Sequence, residues 1–253
     1  MFNLYLYKYN RLIKKIEKKF HISLFFLSIF RLFLILIEKI YFKKLDTSQV
    51  SKFSNYFLKK NMLSKKNNII SAGIADENSF EKNVFQSIEV NKMICIDPTD
   101  IAQNTMENLK SDNIFFLKCA LFDKIGEIKI FKPFSKDNYN LSLDNLYQSQ
   151  KYEIVKTTTI DEIIRNFELE KLDIVKLDVE GVADKVIISM LKKNIYPSQI
   201  VFEIERPMSF LRQFEFFKRT LKLVKILSKE YELYSYTEKK LGFRIEILAT
   251  LKN

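Results

Sequence analysis

The sequence predicts an α/β protein: a doubly wound, mainly parallel sheet with an antiparallel C-terminal strand, preceded by a basic, apolar helical extension. Three observations carry this. From residue 67 onward, short apolar runs alternate with helical stretches. The chain closes on two strand-like runs about Gly242. The charge excess is confined to one end: residues 1–66 hold 15 Lys/Arg against 3 Asp/Glu, while residues 67–253 hold 27 against 28, within a net charge of +11. The expected division is an extension over 1–66 and a globular domain over 67–253.

Composition narrows the function classes. At 253 residues and 47% hydrophobic, the chain has ample material for a core. With 4 Gly and 4 Pro it is neither collagenous nor a Gly-rich array. Two Cys and one His cannot build a disulfide framework or a Cys/His zinc site, and no other residue pattern demands a metal. The single His is His21, so if any residue in the body of the chain acts as a base it must be a carboxylate.

In the extension, Lys8, Arg11, Lys14, Lys15, Lys18 and Lys19 are interleaved with apolar residues, and a run ISLFFLSIFRLFLILI fills 22–37. As a helix this run is about 24 Å long, short of the roughly 30 Å of a bilayer core, and Arg31 interrupts it. Two readings remain for the extension: a helix packed on the globular body, or peripheral membrane contact through residues 1–45, with the basic flanks on anionic headgroups. Nucleic acid is not expected as a partner, because the basic residues come without a recognisable binding module.

The first strand of the body is Ile69–Ala72, ending at Gly73; Asn78 then caps a helix, with Glu81 completing a capping box. A second strand, Met93–Asp97, leads through Pro98 into a helix. A third runs Ile114–Leu121 and turns at Gly126 into a hairpin partner, Glu127–Phe131. The Asn- and Ser-rich stretch from Pro133 to Tyr152 reads as a long loop. Next come a helix over Ile160–Phe167, a strand Ile174–Asp178, a helix Asp184–Lys193 and a strand Ile200–Ile204. A long amphipathic helix, Phe210–Lys229, precedes the final antiparallel pair, Tyr231–Tyr236 and Phe243–Leu251.

A sheet of this kind binds ligands at the carboxyl ends of its strands. Gly73, Asp97, Asp178 and Glu203 stand at four of those ends. Gly73 and Asp97 are 24 residues apart, near the roughly 20 that separate a nucleotide-cradling turn from a ribose-binding acid. The turn reads GIADEN, not G-x-G-x-x-G, so a pyrophosphate cradle is missing; a nucleoside cofactor without phosphates, such as S-adenosylmethionine, fits a single close approach at Gly73. On that reading Gly73 tolerates no side chain because the ligand passes there. Cys95 and Cys119 lie inside strands and are expected to be buried, reduced thiols, in keeping with a cytoplasmic protein.

IISAGIADENSF (69–80), MICIDPTD (93–100), TTTIDEII (157–164), DIVKLDVEG (173–181) and IVFEIE (200–205) stand in the order and spacing of FkbM-type methyltransferases, which the chain resembles over about residues 67–250. The resemblance implies a class I, Rossmann-like methyltransferase sheet and S-adenosylmethionine-dependent O-methylation of a sugar, glycan or secondary-metabolite hydroxyl. By position it implies that Gly73, Ile74 and Ala75 line the methionine part of the cofactor. Asp97 would hold the ribose, Pro98 would flank the adenine, and Ala120 with Leu121 would sit near the base. Asp178 and Glu180 would close the site, and Asp178, Glu180 and Glu203 are the candidates for a catalytic base. The alternative is a non-catalytic relative that docks on a membrane or a biosynthetic complex through its basic end.

Overall fold

The computed structural model describes residues 35–131, 150–179, 181–205, 210–236 and 244–252. The chain forms two compact units, Met1–Ile40 and Tyr41–Asn253. Of the first, residues 35–40 are described and are helical. Residues 1–34, with most of the basic and apolar run, lie outside the described residues, as do the 132–149 span and Glu180. No described helix is long and apolar enough to cross a membrane.

The second unit is built on an eight-stranded sheet. Its strands are β1 (Phe42–Lys43), β4 (Asn67–Ala72), β5 (Val90–Ile96), β6 (Ile114–Leu117), β10 (Ile174–Leu177), β11 (Gln199–Glu205), β12 (Tyr231–Ser235) and β13 (Arg244–Leu251). They lie in the order β1-β12-β13-β11-β10-β4-β5-β6. Every neighbouring pair is parallel except the two that β13 makes, with β11 and β12. The chain winds outward from β4 through β5 to β6, then returns to lay β10 on the other side of β4. That reversal is the topological switch point at which open α/β sheets hold their ligands.

The central strands read as unbroken apolar runs because helices and loops cover both faces of a parallel sheet. All six residues of β4 and all four of β10 are buried, and Ile69, Ile70, Met93, Ile94, Ile174, Val175 and Phe202 are fully so. Four helices connect the strands: α1 (Ser79–Ser87), α2 (Asp100–Met106), α3 (Ile160–Asn166) and α4 (Ala183–Lys192); α5 (Phe210–Glu230) precedes β12. Thr99 and Thr159 cap α2 and α3, accepting from the backbone N–H of Ala102 and Glu162.

The predicted strands and helices of residues 67–253 are present among the described residues with shifts at their ends, and four features differ. The capping box at Asn78 is absent: Asn78 makes no side-chain cap, and Glu81 turns inward instead, where Ser71 on β4 donates to it. The run Ile114–Leu121 is split, since a tight turn in which the Cys119 N–H donates to the Leu117 carbonyl (3.0 Å) ends β6 and frees Ala120–Leu121 as β7. The expected hairpin partner, β8 (Gly126–Phe131), pairs not with that run but with β9 (Tyr152–Thr158), giving a separate three-stranded sheet β7-β9-β8. Finally, residues 42–59, assigned from their charge to the helical extension, form strands that belong to the second unit. Here β1 joins the main sheet beside β12, and β2 (Val50–Phe53) and β3 (Tyr56–Lys59) form a hairpin. β3 alternates buried and less buried residues; Val50, Phe53, Tyr56 and Leu58 join the core, Lys52 stays exposed, and the largely buried Lys59 donates to the Tyr234 hydroxyl.

Candidate active site

Strands β4 and β10 end level, Ala72 opposite Leu177, so Gly73 and Asp178 meet just beyond the switch point. The Asp178 N–H donates to the Ala72 carbonyl at 2.9 Å, and the Gly73 N–H donates across to Ile96 on β5 at 3.0 Å. The chain must turn sharply here without a side chain: Gly73 adopts φ +81°, and a β-carbon on it would lie 1.9 Å from the Asp178 carbonyl oxygen. The sequence reading ascribed this glycine to an approaching ligand. Its requirement comes from the neighbouring strand.

A cavity of about 240 Å³ opens at these strand ends. Gly73, Ile74, Ala75, Asp97 and Pro98 line it from β4 and β5, and Ala120 and Leu121 from β7. Asp178 and Glu203 line it from β10 and β11. Every described candidate of the sequence reading therefore faces one space; Glu180 lies outside the described residues. Gly181, next along, has φ +81°, the turn that leads the chain away into α4.

Asp97 is nearly buried and its carboxylate is fully engaged. One oxygen accepts from the backbone N–H groups of Ile74 (2.9 Å) and Ala75 (3.1 Å); the other accepts from the Thr99 N–H (2.9 Å) and the Thr99 hydroxyl (2.6 Å). Those four bonds match the roughly four lone-pair sites a carboxylate offers. Asp97 thus pins the Gly73–Ala75 turn to the end of β5. Of its four donors, the Thr99 hydroxyl is the one a ligand hydroxyl can replace without moving the backbone.

Two residues that line the site, Lys176 and Tyr56, carried no expectation from the sequence, and Glu81, expected only as part of a cap, lies behind them. Lys176 extends from β10 under the turn, almost fully buried: its ammonium donates to the Gly73 carbonyl and lies 3.8 Å from Glu81 and 4.0 Å from Asp178. Glu81 is wholly buried, one oxygen accepting from Ser71 and the other without a hydrogen-bond partner among the described residues. A lysine inside the apolar run IVKL is itself a signal, since a charge is rarely buried unless paired. Tyr56, at the start of β3, lines the same cavity; its ring packs edge-on against Phe80 at 5.5 Å, and the Lys176 ammonium lies 5.7 Å from its centroid. Burial pushes its hydroxyl well above the usual tyrosine range, and the carboxylates of Asp178 and Glu203 push it further.

Neither cysteine lines the cavity; Cys95 is buried in β5, whereas Cys119, expected inside a strand, lies in the turn after β6 and is partly exposed. Burial, reinforced by Glu81, raises the Cys95 thiol well above its ordinary range, and burial with Glu162 pushes Cys119 up to about 11. Among the described residues no three His, Cys, Asp or Glu side chains converge as metal ligands.

No curated protein matches the sequence. Among solved structures, the FkbM methyltransferase of Methylobacillus flagellatus KT is similar at 13% identity and a TM-score of 0.49, over 80% of this chain and 49% of that one. This chain thus spans about half of that protein's length. The O-methyltransferase of Bacillus cereus, solved in complex with SAH, is 12% identical at a TM-score of 0.41, over 89% of this chain and 81% of its own. Fibrillarin of Aeropyrum pernix, solved with S-adenosyl-L-methionine, is 13% identical at 0.42, over 74% and 69%. Residues 53–245, from the end of β2 into β13, match the methyltransferase FkbM domain. With its switch-point cavity inside that span, the chain belongs to the FkbM methyltransferase domain family.

Proposed function

We propose that the protein transfers a methyl group from S-adenosylmethionine to a hydroxyl of a sugar or similar polyol. The observation that carries this reading is the convergence of Asp97, Asp178 and Glu203 with the Gly73 turn on one cavity at the switch point of a methyltransferase-family sheet. The lining suits such a cofactor. Asp76, Glu77, Asp97, Asp178 and Glu203 face the space, with Lys176 as the lining cation among the described residues, so a ligand bearing a sulfonium and an ammonium enters a favourable field.

When bound, S-adenosylmethionine supplies a methyl group already activated by its sulfonium. What remains for the chain is alignment and one proton. The Gly73–Ala75 turn pinned by Asp97 shapes the methionine side, and Asp97 and Pro98 after β5, with Ala120 and Leu121 of β7, shape the nucleoside side. Asp178 and Glu203, across the cavity, are the carboxylates available to take the acceptor's O–H proton, and alignment supplies much of the remaining rate. The basic residues of 1–45, in the same reading, give the enzyme a peripheral hold on anionic lipid headgroups.

Calorimetry with S-adenosylmethionine tests the reading. The intact protein should bind it, and Asp97→Ala should weaken binding by about 10- to 150-fold, as expected for charge-assisted bonds of about 1.5–3 kcal/mol. A protein that takes up no S-adenosylmethionine, or an Asp97→Ala variant of unchanged affinity, refutes it.

A further inference from the structure

The Tyr56 hydroxyl is buried and faces the cavity; among the described residues no group lies within hydrogen-bond geometry of it, and the Asp178 carboxylate stands beside it. A buried phenol without a partner of good geometry costs stability. The edge-on contact with Phe80 and the approach of Lys176 use the ring alone, which leaves the oxygen to the Asp178 side of the cavity.

We infer that Tyr56 is an acceptor-positioning residue whose hydroxyl donates a hydrogen bond to a neutral hydroxyl group of the methyl acceptor, beside the carboxylates of Asp178 and Glu203. The inference rests on the methyl-transfer reading above and deepens it, because the residues select a class of acceptor. The raised pKa keeps the phenol protonated at any working pH, so it serves as a donor and not as a base. Around it stand groups that accept. A ligand satisfying both must offer a lone pair to the phenol and a proton to a carboxylate, which an alcohol does at a single oxygen. An ammonium has no lone pair for the phenol proton. A carboxylate or phosphate has no proton to give at neutral pH, and its charge meets the like charges of Asp178 and Glu203.

The step balances. The acceptor oxygen forms its bond to the methyl carbon as the carbon–sulfur bond breaks, leaving the thioether of S-adenosylhomocysteine, and the O–H proton passes to the carboxylate. Tyr56 holds the oxygen throughout and neither gains nor loses a proton.

The experiment uses the full chain saturated with S-adenosylhomocysteine, and a panel of methyl hexopyranosides with their matching uronates, followed by saturation-transfer NMR and titration. Neutral glycosides should bind and uronates should bind at least tenfold more weakly. Tyr56→Phe should lower the affinity for the bound glycoside by about 2- to 10-fold while S-adenosylhomocysteine affinity holds. The thermal midpoint of the unliganded variant should stay level or rise, since a hydroxyl without a partner has been removed. Equal binding of uronates, unchanged glycoside affinity in the variant, a lower midpoint, or no glycoside bound by a protein that does take up S-adenosylhomocysteine each overturns the inference. Failure to bind S-adenosylhomocysteine at all overturns the methyltransferase reading instead.

Discussion

The backbone carbonyl of Asp178 occupies the place where a side chain on Gly73 would begin, 1.9 Å from its β-carbon position. The two residues stand at the ends of adjacent parallel strands, and the closeness of the strands there sets the shape of the cavity floor. A substitution at Gly73 therefore acts on the sheet before it acts on any ligand.

Gly73→Ala should destabilise the protein by about 2–5 kcal/mol, combining left-handed strain with overpacking against a backbone that cannot retreat. Urea denaturation measures it. A variant of normal stability that has merely lost cofactor binding would return the glycine to the ligand and refute the steric argument.

Lys176 and Glu81 should behave as one unit. Lys176→Met strands a wholly buried carboxylate, at a cost of about 3–5 kcal/mol, whereas Lys176→Met with Glu81→Leu removes both charges and should recover most of that loss. Equal destabilisation of the single and double variants would show that the lysine acts through the Gly73 carbonyl alone.

Acid should loosen the sheet at β12. Hydrogen bonds from Lys43 and then Tyr234, with the charges of Lys43 and Lys59, hold Glu232 down at about 2 against an ordinary 4.5, outweighing its partial burial. A carboxyl whose folded pKa is depressed contributes fully above its unfolded pKa and loses the contribution as pH falls through the folded one. The window is therefore pH 4.5 to about 2. With solvent screening at this partly exposed site the effect is about 1 kcal/mol. Comparing the pH dependence of unfolding in Glu232→Gln and the parent chain reads it: the parent should lose more stability across that window, and parallel curves would count against the assignment.

Much of the body was legible because its central strands are continuous apolar runs that end in a glycine or an acid. IISAG and MICID, with DIVKLD, state both the strands and the places where they stop, and that placed Gly73, Asp97 and Asp178 on one rim. What escaped were pairings between distant segments and residues hidden by local charge. β8 pairs with β9 across the 132–149 span, a choice no local pattern reveals. The β2–β3 hairpin lies in a lysine-rich stretch whose net charge masks the two-residue alternation of β3, and with it went Tyr56. Asp97 was found by position, but the four donors that engage its carboxylate come from folding.

The eight-stranded sheet ends in strands of two and four residues, β1 and β6. Unpaired strand edges are templates on which a second chain adds, and short edges offer little to copy. β1 is thus a guard placed over β12, fastened by the Lys43–Glu232 bond. Were the chain to begin at residue 46, the five residues Tyr231–Ser235 would become the border of the sheet, with their backbone donors and acceptors open to another molecule.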